Sequence, residues 1–301
     1  MASDQPRIGV VGVGHLGQHH VKHLVKMKHI LFSGIYDHDR DRAGMIASAH
    51  NSKSFDSLPE LIKECDGVTV VTPTVDHCKT ALQCLQNGKH VFIEKPISDS
   101  VESADTLLKA AEENGVFIQV GHIERLNPAL VAIKNYELDP KFIEIQRLAP
   151  YTSRGTDVPV VLDLMIHDID ILLYFVGSKV KSVAATGLSI MTDSVDIAHA
   201  RIRFENGTVA SLTSSRIAKD KVRKIKIFQK NIVGLKVSEF LFINIKKGTQ
   251  EYSDLISGLT VILGNPSEID FLMAEGHLPK RITLPDEKNE MGNQRCGRRR
   301  K

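Results

Sequence analysis

The chain has 301 residues, 42% hydrophobic and 25% charged, which excludes a disordered protein and allows two domains with substantial cores. The formal charge is +3, yet residues 280–301 hold eight Lys and Arg against three acids, so the rest of the chain is acidic by two and the basic excess marks no nucleic-acid face. No apolar run approaches a membrane span, the first residues lack an apolar signal core, and Cys65, Cys78, Cys84 and Cys296 are spaced for neither zinc nor a disulfide framework, so the expected setting is the cytoplasm, away from membranes.

The first strand signal is Arg7 to Val13. It runs into Gly12-x-Gly14-x-x-Gly17 and a helix pattern of Leu16, His20, Leu24 and Met27. A glycine pattern between a strand and a helix is the context that dinucleotide binding requires. Gly12 permits the tight turn, Gly14 lets a pyrophosphate approach the backbone, and Gly17 lets helix and strand pack closely. His15 and Leu16, between the last two glycines, are counted with them as cofactor-binding residues. The helix N-terminus offers free N–H groups to phosphates. A second strand, Ile30 to Tyr36, ends at Asp37, 20 residues past Gly17, the spacing of a carboxylate that bonds an adenosine ribose. A carboxylate there repels a 2′-phosphate, so NAD is expected over NADP. Arg40 and Arg42 stand close enough to soften that preference.

The alternation continues with a helix at Leu58 to Lys63 and a strand at Gly67 to Val71, stopped by Thr72-Pro73. A helix from Val75 to Gln86 closes at Asn87-Gly88. The next strand, from His90, ends at Glu94-Lys95-Pro96; a helix from Ser100 to Asn114 and a strand at Val116 to Val120 follow. Strand signals separated by helices predict an α/β domain over residues 1–121, built on a parallel, doubly wound Rossmann sheet. Pro96 cannot extend a ladder, so Lys95 is left at the sheet's carboxyl edge, where open α/β sheets bind ligands. The plainer alternative is a surface Glu-Lys pair capping a strand.

Gly121-His-Ile-Glu-Arg-Leu-Asn-Pro128 opens the second half, with a helix expected from Pro128 to Tyr136 and a strand from Phe142 to Leu148. Residues 149–159 form a polar loop whose Arg154 is a candidate for facing substrate. A buried helix is expected from Val160 to Phe175. It carries Asp163 and His167 four residues apart on one face, a pairing suited to general-base chemistry or, more plainly, to a buried structural pair. Beyond Val180 the pattern becomes antiparallel: Ala198, Ala200, Ile202 and Phe204 alternate with His199, Arg201 and Arg203, and Asn206-Gly207 marks a hairpin turn. The second domain, residues 122–290, is therefore expected to be α+β with a mostly antiparallel open sheet. Residues 291–301 are expected to form a basic, disordered tail.

Gly9-x-x-Gly12-x-Gly14-x-x-Gly17, Thr72-Pro73-x-x-x-His77 and Glu94-Lys95-Pro96 together resemble the glucose–fructose oxidoreductase, inositol dehydrogenase and rhizopine-catabolism (Gfo/Idh/MocA) family, over roughly residues 5 to 230. The resemblance implies an NAD(P)-dependent oxidoreductase that moves hydride between nicotinamide and a hydroxyl carbon of a sugar, nucleotide sugar or polyol. It implies that Glu94 and Lys95 lie beside the cofactor, with Lys95 also beside the substrate, and that Thr72, Pro73 and His77 line the cofactor. Asp163-x-x-x-His167 resembles the family's second signature, which implies His167 as proton acceptor; Asp163 is expected to orient the substrate or His167, no metal is expected, and Asp168 and Asp170 read as structural. The resemblance also implies a homo-dimer or homo-tetramer. Residues 121–128 are similar to the branch that oxidises the 3-hydroxyl of UDP-N-acetylglucosamine. A non-catalytic dinucleotide-sensing module is the alternative, and intact Lys95, Asp163 and His167 speak against it.

Overall fold

The computed structural model describes residues 5–133, 138–152, 158–229, 239–245, 259–264 and 281–282. The chain divides into two compact units, Met1–His122 and Ile123–Lys301.

The first unit runs β1 (Arg7–Val11), α1 (His15–Leu24), β2 (Leu31–Tyr36), α2 (Arg40–Ala49), α3 (Leu58–Lys63), β3 (Gly67–Val70), α4 (Thr74–Gln86), β4 (His90–Ile93), α5 (Val101–Glu113) and β5 (Ile118–Val120). Its strands form one sheet in the order β2-β1-β3-β4-β5, and every pairing is parallel. The sheet has five strands, one for each strand signal named in this half of the sequence. After Val120 the chain passes into a 3-10 turn, Ile123–Leu126, instead of pairing again. Neighbouring residues of β1 face opposite sides of the sheet. Val11 packs with Leu61, Ala81, Leu85 and Leu107, whereas Val10 packs with Val21, Ala43 and Ala47, so helices cover both faces. Chain order reverses beside β1, between β2 and β3, which is the switch point where such sheets hold ligands.

The second unit contains that 3-10 turn, α6 (Pro128–Ile133), β6 (Pro140–Leu148), a π-helical turn (Val161–Met165) and α7 (Ile166–Val176). Strands β7 (Val180–Leu188), β8 (Ile197–Phe204), β9 (Val209–Ser215), β10 (Val222–Gln229), β11 (Glu239–Ile245), β12 (Leu259–Gly264) and β13 (Arg281–Ile282) follow. The sheet order is β13-β12-β11-β10-β6-β9-β8-β7; β6 and β9 pair in parallel and the other pairs are antiparallel. The expected alternation appears in β8, where Ala198, Ala200, Ile202 and Phe204 are buried against Leu172 and Ile171 of α7. Gly207 closes the β8–β9 hairpin at φ 88°, a backbone that glycine adopts without strain.

The helix expected from Val160 is not α-helical throughout, because the stretch holding Asp163 is the π turn. The expected helix end at Tyr136, the candidate Arg154 and the basic tail at 291–301 lie outside the described residues.

Candidate functional site

The glycine loop joins β1 to α1 where the carboxyl ends of β1, β2 and β3 meet. Gly12 donates its N–H to the Tyr36 carbonyl at 2.9 Å and has φ 86°. A Cβ on Gly12 would lie 2.7 Å from the Val71 carbonyl oxygen, and one on Gly17 would overlap the Gly12 carbonyl. Both positions therefore require glycine if α1 is to start against the strand ends. Gly14 differs, since a Cβ there would meet nothing within 4 Å. The backbone at Gly14 faces open space at the start of α1, and no side chain caps the helix. Free amides, a partial positive charge and room for a close approach are what a dinucleotide's pyrophosphate needs. His15 and Leu16 are exposed in the first turn of α1, with Leu16 52% accessible.

Asp37 lies just beyond β2 and is 4% exposed. Its Oδ2 accepts the Val13 N–H at 2.7 Å, and its Oδ1 accepts the Asp39 N–H at 2.9 Å. Arg42, in the first turn of α2, donates Nη2–H to Oδ1 at 2.8 Å and Nε–H to Oδ2 at 3.3 Å. Burial pushes this carboxyl up, but Arg42 and the two amides outweigh burial and hold it below its ordinary value. Asp37 thus fastens the glycine loop to β2 as well as standing where a ribose hydroxyl is expected.

The ends of β3 and β4 lie side by side, and Glu94 donates its N–H to the Val70 carbonyl at 3.0 Å. The Lys95–Pro96 bond is cis. Glu94 Oε2 accepts the Lys95 N–H at 3.2 Å, and Glu94 Oε1 lies 2.8 Å from Nε2 of His20 on α1. His20 therefore links the glycine-loop helix to the Glu-Lys-Pro turn. Sequence reasoning placed His20 only in a helix pattern. The available signal was its position one turn beyond Gly17, on the side of α1 that meets the sheet. His77 is 1% exposed beneath this edge, and its ring reaches the backbone of both Thr72 and Pro96. In the first unit the structure thus brings together the loop glycines, Asp37, Thr72, His77, Glu94 and Lys95 at one edge.

In the second unit, Asp163 sits in the π turn and His167 in the first turn of α7, both half-buried. A π turn at this point changes which residues share a face, and such turns recur at functional sites. Asp168 and Asp170 behave as structural anchors. Asp168 Oδ1 accepts Nε–H and Nη2–H of Arg147 on β6 at 2.9 and 2.8 Å. Arg147 also donates Nη1–H to Glu124 at 3.2 Å, and Glu124 accepts from Arg223 of β10 at 3.0 Å. Asp170 receives both Nε–H and Nη2–H of Arg125, at 2.8 and 2.5 Å. Burial pushes the Asp168 carboxyl up against the opposing pull of Arg147, and its Oδ2 has no hydrogen-bond partner among the described residues. The Glu124-Arg125 turn is thereby locked to the helix that carries His167. Sequence reading named the two aspartates without these arginines, which lie far away along the chain.

Comparison with known proteins agrees with this construction. Residues 6–122 match the oxidoreductase family with an NAD-binding Rossmann fold, and residues 139–231 match the Gfo/Idh/MocA C-terminal domain. A UDP-N-acetylglucosamine 3-dehydrogenase from Acidithiobacillus ferrooxidans is 37% identical over 223 residues, 74% of this chain and 71% of the relative. A solved structure of UDP-N-acetylglucosamine 3-dehydrogenase from Acidithiobacillus ferrooxidans superposes with a TM-score of 0.75 at 32% identity, covering 86% of this chain and 80% of that one. A scyllo-inositol 2-dehydrogenase (NAD(+)) from Bacillus subtilis is 28% identical over 232 residues, 70% of this chain and 68% of the relative. With both domains matched and a relative 37% identical over 74% of the chain, the chain belongs to the Gfo/Idh/MocA family of NAD-binding oxidoreductases.

Proposed function

We propose that this protein is an NAD-dependent dehydrogenase of a nucleotide-sugar hydroxyl, with the 3-hydroxyl of UDP-N-acetylglucosamine as its first candidate substrate. The observation that carries this reading is Lys95 at the carboxyl end of β4, in a turn braced by Glu94, His20 and His77. The 37% identity to a UDP-N-acetylglucosamine 3-dehydrogenase supports the substrate class. Bound NAD would supply the acceptor for hydride from the carbinol carbon. Gly12, Gly14, His15, Leu16 and Gly17 would hold its pyrophosphate, Asp37 its adenosine ribose, and Thr72, Pro73 and Glu94 its nicotinamide half. Lys95 would hydrogen-bond the reacting hydroxyl oxygen, His167 would take its proton, and Asp163 would orient His167 or the sugar.

Residues 1–121 are assigned to the cofactor, residues 122–290 to substrate and self-association as a homo-oligomer, and residues 291–301 to a dispensable tail. The assignment of a cytoplasmic setting is supported by free thiols at Cys65, Cys78 and Cys84. Among the described residues no helix is long and apolar enough to cross a membrane.

The test is NADH formation from UDP-N-acetylglucosamine, with scyllo-inositol as the comparison substrate. Lys95→Ala and His167→Ala should each keep NAD affinity and fold while turnover falls about a hundredfold or more. If neither compound, nor any other nucleotide sugar or polyol, yields NADH, the dehydrogenase reading gives way to a dinucleotide-sensing module.

A further inference from the structure

We propose that His77 is a positioning residue that bridges the two loops of the cofactor edge, one ring nitrogen fixing the Thr72–Pro73 turn and the other fixing Lys95 through Pro96. The part concerning Lys95 rests on the dehydrogenase reading above; the bridge itself does not.

His77 lies in the first turn of α4, a helix that follows directly from Thr72-Pro73. Its ring is buried, with Nδ1 2.8 Å from the Pro96 carbonyl oxygen and Nε2 2.9 Å from the Thr72 carbonyl oxygen. Carbonyl oxygens only accept, so each contact is a hydrogen bond only if the ring nitrogen facing it carries a proton. One planar ring then holds two backbone segments at a fixed separation. The two segments serve different ends of the site. Thr72 abuts the glycine loop, since a Cβ on Gly12 would lie 2.9 Å from the Thr72 nitrogen. Pro96 follows Lys95, whose own N–H is taken by Glu94. The Nε2 arm therefore bears on the cofactor loop and the Nδ1 arm on the lysine.

This division can be separated with two substitutions. An asparagine amide nitrogen stands close to the place of Nδ1, and a glutamine amide nitrogen close to the place of Nε2. His77→Asn should keep the Pro96 bond and lose the Thr72 bond, and His77→Gln should do the reverse. In backbone amide spectra of the full chain, His77→Gln should shift Lys95 and Ile97 and leave Gly12 and Thr72 near their parental positions. His77→Asn should give the opposite pattern. With UDP-N-acetylglucosamine and NAD as probes, His77→Gln should lower kcat about ten- to a hundredfold at nearly unchanged NAD affinity, the scale of a misplaced catalytic group. His77→Asn should weaken NAD binding in calorimetry more than it lowers kcat. A merely structural histidine would produce no such split. Identical spectral changes in the two variants would overturn the proposal.

Nitrogen-15 spectra of the parent decide the matter even if neither variant folds: the bridge requires a proton on each ring nitrogen of His77, and an unprotonated Nδ1 or Nε2 would overturn it. Lys95→Met separates the two readings. If Lys95→Met turns over like the parent while the spectral split persists, the role of Lys95 is lost and the His77 bridge stands.

Discussion

Arg42 Nη2 lies 2.8 Å from Asp37 Oδ1, so the carboxylate expected to meet a ribose is already paired with a guanidinium from the next helix. The arrangement holds both groups in readiness. A ribose 2′-hydroxyl can add to the Asp37 oxygens, whereas a 2′-phosphate would be repelled by Asp37 and attracted by Arg42. Asp37→Ala should weaken NAD binding and narrow the gap between NAD and NADP, because the released Arg42 becomes available to a phosphate. Calorimetry with both dinucleotides checks this. Tighter NADP than NAD binding in the parent would overturn the assignment of Asp37.

Gly12 and Gly14 should part company on substitution. Gly14 has φ −63° and an open would-be Cβ direction. Gly14→Ala should therefore fold with stability within about 0.5 kcal/mol of the parent, as for ordinary surface changes, while NAD affinity falls because the methyl group fills the phosphate's space. Gly12→Ala meets both a positive φ and the Val71 carbonyl, and should lose roughly 1–3 kcal/mol from the backbone alone. Thermal melts beside NAD titrations distinguish the two. A Gly14→Ala protein that binds NAD like the parent would place the pyrophosphate elsewhere.

Arg147 and Asp168 form an ion pair with side chains 4% and 2% exposed. Removing one partner strands a buried charge, so Asp168→Leu or Arg147→Met should each cost about 3–5 kcal/mol. The double variant should cost clearly less than the sum of the singles, because neither charge is then left alone. Denaturant titration of the four proteins measures the coupling. Additive losses would show that the two side chains do not act as a pair.

Acid should loosen the segment between β7 and β8. Asp196 Oδ2 accepts the N–H groups of Ile190, Met191 and Thr192 at 2.8, 2.7 and 3.0 Å. Burial pushes this carboxyl up, but the amides hold it below the ordinary 3.8. A carboxylate with a depressed folded value contributes stability that is fully present above the unfolded value and is lost as pH falls through the folded one. The parent's melting temperature should accordingly fall with acid below about pH 4, from the unfolded carboxylate value. Asp196→Asn should start lower and show a shallower fall. Equal slopes for the two proteins would remove Asp196 from the acid response.

Much of this protein was legible from neighbouring residues alone. A strand running into Gly12-x-Gly14-x-x-Gly17, alternating strand and helix signals, and the alternation of β8 depend on short-range turn chemistry and periodicity, which a linear chain displays directly. The fold class and the placement of the glycine loop at the sheet's carboxyl edge follow from these. Partnerships between distant segments did not follow. Asp168 could be marked as structural, but its arginine lies 21 residues away on β6, and pairing them required knowing which strand passes beneath α7. The bond between His20 and Glu94 spans 74 residues and exists because a parallel sheet sets α1 beside the end of β4. The π turn under Asp163 was equally hidden, since its residue pattern satisfies an ordinary α-helix and only packing selects the wider turn. Local pattern therefore determined the elements and the glycine loop between β1 and α1. Tertiary structure alone decided which side chains brace Lys95 and which hold the helix of His167, because hydrogen bonds between separate elements leave no periodic trace in the chain.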